Sequence, residues 1–155
     1  MQGFRLGALA LGAAVMLAAA GASYAQDKAA LVKARQDFME HQQDDVNVIG
    51  KFFKGSGDQA SAVAAASDLL AVAPKIPDQF TIPGTGMDAV PKSKTKPEIF
   101  QHLDKVKALV ANLQTLEQKL LETVKAGDPA AVRAQLVATY REGCTACHTD
   151  YRAAD

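Results

Sequence analysis

Residues 97–126 read PEIFQHLDKVKALVANLQTLEQKLLETVKA, the most regular stretch of the chain. Ile99, Leu103, Val106, Leu109 or Val110, Leu113, Leu116, Leu120 and Val124 recur every three or four positions, which lays one apolar stripe along an α-helix. Pro97 suits a first helical position, where a missing N–H costs nothing, and Ala126-Gly127 supplies the stop. A stripe of that length must be buried against other helices, and the flanking sequence offers three.

Downstream, Asp128 can cap a helix with Pro129 at its first position that runs to about Arg152. Upstream, residues 27–53 contain no proline and place Leu31, Phe38, Val46, Ile49 and Phe53 on a helical face. Gly55-Ser56-Gly57 interrupts this pattern, and Asp58 caps an Ala-rich helix that ends at Val72 or Ala73, before Pro74. Pro74, Pro77, Pro83, Pro91 and Pro97, with Gly84 and Gly86, leave residues 74–97 as one long irregular segment. No alternating β-branched run occurs, and the first-to-second and third-to-fourth links are short. The predicted fold is therefore all-α, an antiparallel four-helix bundle.

The N-terminus reads differently. Arg5 precedes an uncharged run from Leu6 to Ala20 that closes on Ala22-Ser23-Tyr24-Ala25, the pattern of a signal peptide cleaved after Ala25. The run is too short for a spanning helix, which needs roughly 20 apolar residues. The expected organisation is a leader over 1–25 and one domain over 26–155, without a membrane anchor after cleavage. The mature chain carries 16 basic and 17 acidic side chains, a balance that favours neither nucleic acid nor an anionic membrane as partner.

Export places the two cysteines in an oxidising compartment, where a pair is ordinarily a disulfide. Their spacing, Cys144-Thr145-Ala146-Cys147-His148, is that of haem attachment: two thiols add to the porphyrin vinyl groups and the adjacent imidazole reaches the iron. On a helix, positions 144, 147, 148 and 151 share one face, so Tyr151 joins both thiols and His148. The alternatives fit less well. Two residues between cysteines on a helix make a poor staple, a thioredoxin-like pair would follow a strand, and a zinc site would have to recruit His41 or His102.

A haem motif near the end of a four-helix chain resembles the cytochrome c′ family, the class II c-type cytochromes. The likeness extends through Cys-x-x-Cys-His-x-x-Tyr-Arg at 144–152, Lys94-Thr95-Lys96-Pro97-Glu98-Ile99, and Arg35-Gln36, and so covers essentially the whole mature chain. Phe100 departs from it, since many relatives have tryptophan there. The resemblance implies one covalent haem c, with His148 as an axial iron ligand. It also implies that Met39, one turn after Arg35, stands where low-spin relatives place a ligating methionine. Met87 in the long segment is a weaker rival, and Met39 can alternatively just fill the core. Arg35 can pair with a haem propionate, Tyr151 and Tyr140 can pack on the porphyrin, and Arg152 is expected on the proximal side.

The leading expectation from these residues is a periplasmic one-electron carrier with His148 and Met39 as axial ligands, passing electrons to redox partner proteins. The alternative is a five-coordinate, high-spin protein that binds nitric oxide or carbon monoxide. Catalysis is disfavoured, because Glu40 projects about 100° away from Met39 and no distal acid or base is evident. His41, two positions from Met39, also points elsewhere. A homodimer through the first two helices is expected by analogy with some relatives.

Overall fold

The computed structural model describes the backbone of residues 10–154 and the side chains of residues 27–154. The expected leader over 1–25 thus lies outside the residues whose side chains are described. Five helices follow: α1 (Ala10–Phe53), α2 (Gln59–Val72), α3 (Leu103–Ala126), α4 (Pro129–Ala138) and α5 (Thr145–Tyr151), the last two joined by a π-helical turn, Thr139–Cys144. In space α4, the π-turn and α5 form one bent fourth helix, and the molecule is an all-α four-helix bundle. Among the described residues no helix is long and apolar enough to cross a membrane.

The caps are where the sequence puts them. The Asp58 carboxylate accepts the Ser61 N–H at 2.8 Å, Asp128 accepts that of Ala130 at 2.9 Å, and Gly127 closes α3 in the left-handed conformation at φ 81°. Two helices differ from expectation. The turn opened by Pro97 is a 3₁₀ segment, Pro97–Gln101, held by bonds from Ile99 N–H to Lys96 O and from His102 N–H to Ile99 O, so α3 proper starts at Leu103.

The fourth helix is interrupted because Gly143 lies hard against α3. A Cβ on Gly143 would stand 2.5 Å from Leu113 Cδ1. On the other side, Thr139 donates its hydroxyl to Gln135 O at 2.9 Å, a back-bond that loosens the α-ladder where the π-turn begins.

α1 packs on α2 and α4, α2 on α3, and α3 on α4 and the π-turn. Two separate cores result. One, at the end with the short links, gathers Ile49, Ala62, Ala66, Leu69, Leu120, Val124 and Val132. The other gathers Phe80, Ile99, Val106, Val110, Leu113 and Tyr151, with Met39, Cys144 and Cys147 packed against it. Each fully buried aliphatic side chain contributes about 1.5–3 kcal/mol.

Candidate haem site

The second core does not close on itself. A cavity of about 310 Å³ opens beside it, walled by α1, α3, the π-turn, α5 and the long segment. α1 presents Val32, Arg35, Met39 and Val46, at helical spacing on one side of the space. α3 presents Leu109, Val110 and Leu113. Cys144, Cys147, His148 and Tyr151 come from the fourth helix, all on the shared face expected of them.

Both cysteines are free thiols, and burial first of all pushes each to a pKa of about 11. Both are therefore protonated at physiological pH in the absence of a bound group. The His148 pKa is lowered, chiefly by burial and then by the Arg152 charge. A neutral imidazole is the form that binds a metal.

The segment after the motif is stitched to the long irregular stretch. Lys96 N–H donates to Tyr151 O at 2.9 Å, Ala153 N–H to Lys94 O at 2.8 Å, and Lys96 Nζ to Thr149 O at 3.1 Å. This register brings Lys94, Thr95 and Arg152 to the same rim of the cavity as Gln36 and Ser93. The residues lining the cavity include basic and hydroxyl side chains but no carboxylate. An apolar slot with thiols and an imidazole on one wall and a cationic, hydroxyl-rich rim fits a porphyrin, which is flat, apolar and bears carboxylates on one edge.

Arg35 does more than line the wall. It is 5% exposed, and its guanidinium donates to Gln79 O at 3.2 Å, Thr85 Oγ1 at 3.1 Å, Thr85 O at 2.7 Å and Ser93 Oγ at 3.2 Å, with its carbon 5.3 Å from the Phe80 ring centroid. It thereby ties α1 to the long segment, a role that its sequence neighbours do not signal. Met39 is half-buried against the cavity, and the Gln42 amide donates to its sulfur at 3.6 Å.

Met87 is exposed and Tyr140 half-exposed at the cavity wall. His41 stands outside the cavity, bonded to Asp68 at 2.5 Å and 3.9 Å from Asp45, and these acids raise its pKa, the Asp68 hydrogen bond first. Glu117 is the residue that sequence reading missed. It occupies the buried side of α3 at 2% exposure, one position after the Leu116 assigned to the stripe.

The comparisons with known proteins agree with this geometry. A cytochrome c′ of Cereibacter sphaeroides is 29% identical over 147 residues, 90% of this chain and 94% of the relative. A solved cytochrome c′ described by its unusual ligand-controlled dimer dissociation is 25% identical, with a TM-score of 0.69 over 82% of this chain and 97% of that one. The nitrosyl complex of a variant cytochrome c prime from Alcaligenes xylosoxidans is 25% identical, with a TM-score of 0.65 over 81% and 96%. The family model described as Cytochrome C' matches residues 30–152, and the chain belongs to the cytochrome c′ family, whose members carry one covalently attached haem c.

Proposed function

We propose that this protein binds a small uncharged gas, nitric oxide or carbon monoxide, at a single haem c in the periplasm, after removal of residues 1–25 as a leader. Cys144 and Cys147 are the thioether anchors and His148 the proximal ligand, with Tyr151 packed on the porphyrin and Arg152 at its rim. When bound, the haem would supply an iron able to take up the gas; Cys144, Cys147 and His148 would hold it, and Val32, Met39 and Val46 of α1 would line the space opposite them.

The observation that carries the reading is the state of Met39. It is the one thioether on the α1 wall, and its sulfur already accepts a hydrogen bond from Gln42. The contact leaves the second lone pair of the sulfur free, but a thioether is a neutral, weak donor, and one on this wall yields readily to a strong diatomic ligand. The nitrosyl complex and the ligand-controlled dissociation recorded for two solved relatives favour the same reading. The dimer described for the second of these relatives also favours a homodimer here, for which α1 and α2 are our proposed interface.

A second reading keeps the expectation of Met39 as a stable sixth ligand in a low-spin electron carrier serving redox partner proteins. The position of Met39 on the cavity wall favours it. Absorption spectra of the oxidised and dithionite-reduced protein, repeated under carbon monoxide, separate the two. Broad high-spin bands that shift with the gas are expected. Sharp reduced bands indifferent to it would establish the carrier instead, and no haem bands from cells able to attach haem would defeat both.

A further inference from the structure

Glu117 is hard to explain as packing. It sits on the apolar stripe of α3 between Leu113, which lines the haem cavity, and Leu120, which belongs to the opposite core. Its Oε2 is wholly buried and has no hydrogen-bond partner among the described residues. The polar groups that reach α3 here are committed elsewhere: Gln135 Nε2 donates to Leu116 O at 3.4 Å and to Thr139 Oγ1 at 3.3 Å, and Thr139 Oγ1 donates to Gln135 O. A leucine or methionine would fill the same volume without the penalty of an unpaired buried carboxyl.

The neighbours of Glu117, Leu113 and Leu116, pack on Gly143, the residue before the haem anchor Cys144 at the end of the π-turn, and after burial the Glu117 charge is the next influence raising the Cys144 thiol pKa. Among the described residues burial alone raises the Glu117 pKa, to about 8, whereas Asp45 on α1, whose Oδ2 also lacks a hydrogen bond, is raised first by burial and also responds to Asp68, His41 and Asp44.

We propose that Glu117 is a positioning residue for the haem's electron affinity, its buried carboxyl taking up a proton when the iron is reduced and releasing it when the iron is oxidised. On reduction the iron gains one electron from an external one-electron donor, and the Glu117 carboxylate gains one proton from solvent; oxidation reverses both transfers. Ferric iron carries one more positive charge than ferrous iron and stabilises the carboxylate in a low-dielectric setting where little else screens it. The two oxidation states therefore hold Glu117 at different pKa values, lower with ferric than with ferrous iron. This inference rests on a haem tethered at Cys144 and is independent of which ligand occupies the iron's other side.

Spectroelectrochemical titration of the haem-loaded protein between about pH 5 and about pH 10 tests it. The reduction equilibrium should be flat at low pH, then fall by up to tenfold per pH unit, about 59 mV, through a window around pH 8. Glu117→Gln keeps the shape and removes the proton, and should abolish that slope while leaving the absorption bands in place. In the wild-type protein labelled with carbon-13 glutamate, the redox-difference infrared spectrum near pH 8 should show a protonated-carboxyl band growing on reduction. A flat wild-type profile, a slope unaltered in Glu117→Gln, or a difference spectrum without a label-sensitive band would overturn the proposal. Failure to obtain haem bands would instead refute the haem assignment beneath it.

Discussion

Replacing Arg35 by alanine should loosen the long segment more than any surface change can. Four donated hydrogen bonds disappear, but their acceptors are not all orphaned: Ser93 Oγ still donates to Thr85 O at 2.9 Å, and Thr85 Oγ1 to Ile82 O at 3.0 Å. Counting two or three bonds from a charged donor as a net loss of about 1 kcal/mol each, plus about 0.5 kcal/mol for the Phe80 contact, gives roughly 3 kcal/mol. Relief of the desolvation that lowers the Arg35 pKa works against this and keeps the figure from rising.

For a domain of this size, a loss of that order lowers Tm by roughly 10 °C. Urea or thermal unfolding followed by far-UV circular dichroism measures it, and amide exchange should accelerate in residues 82–95. Arg35→Lys keeps the charge but not the planar fork, so it should recover less than half of the loss. If the alanine variant lost under about 1 kcal/mol, or lysine restored full stability, the four-bond clamp would not be what holds the segment.

Met39→Ala should raise the rate of carbon monoxide binding to the ferrous protein severalfold in stopped-flow mixing, since the thioether stands on the wall from which the gas approaches; an unchanged rate would place it off that path. Cys147→Ser should leave a single thioether, visible as a red-shifted band of the pyridine haemochrome because one vinyl group stays conjugated. Asp45→Asn should stabilise the protein at pH 7.5 by roughly 1 kcal/mol and do little near pH 4. The sign follows from the raised Asp45 pKa of about 6, caused first by burial and then by Asp68: the folded state holds the proton more tightly than the unfolded one, so stability falls as pH climbs from 3.8 through 6. Denaturant midpoints at the two pH values check it, and a gain at pH 4 equal to that at pH 7.5 would exclude the charge as its cause.

Local chemistry was legible in the sequence wherever it acts over a few residues. Asp58, Gly127, Asp128 and Pro129 bound helices because capping and backbone freedom are properties of those residues themselves. Likewise the spacing from Cys144 to Tyr151 fixes a shared face whatever surrounds it. What escaped depends on distant neighbours. The partners of Arg35 lie 44 to 58 positions away. The π-turn answers to the approach of Leu113 on Gly143, a contact between two helices. Glu117, four positions after Leu113 and three before Leu120, falls on the stripe by spacing, but a carboxyl is ordinarily left in water, so the apolar Leu116 beside it is assigned to the stripe instead.

The division of the interior into two cores bears on how the molecule is made. The half holding Ile49, Ala66, Leu120 and Val132 is complete from the chain's own side chains, whereas the half holding Cys144 and Cys147 surrounds a space that only a porphyrin fills. The far end of the bundle can therefore pack from the chain alone, while the end holding the two thiols completes its packing only once the haem is in place. Haem addition then serves as the final folding step for that end alone.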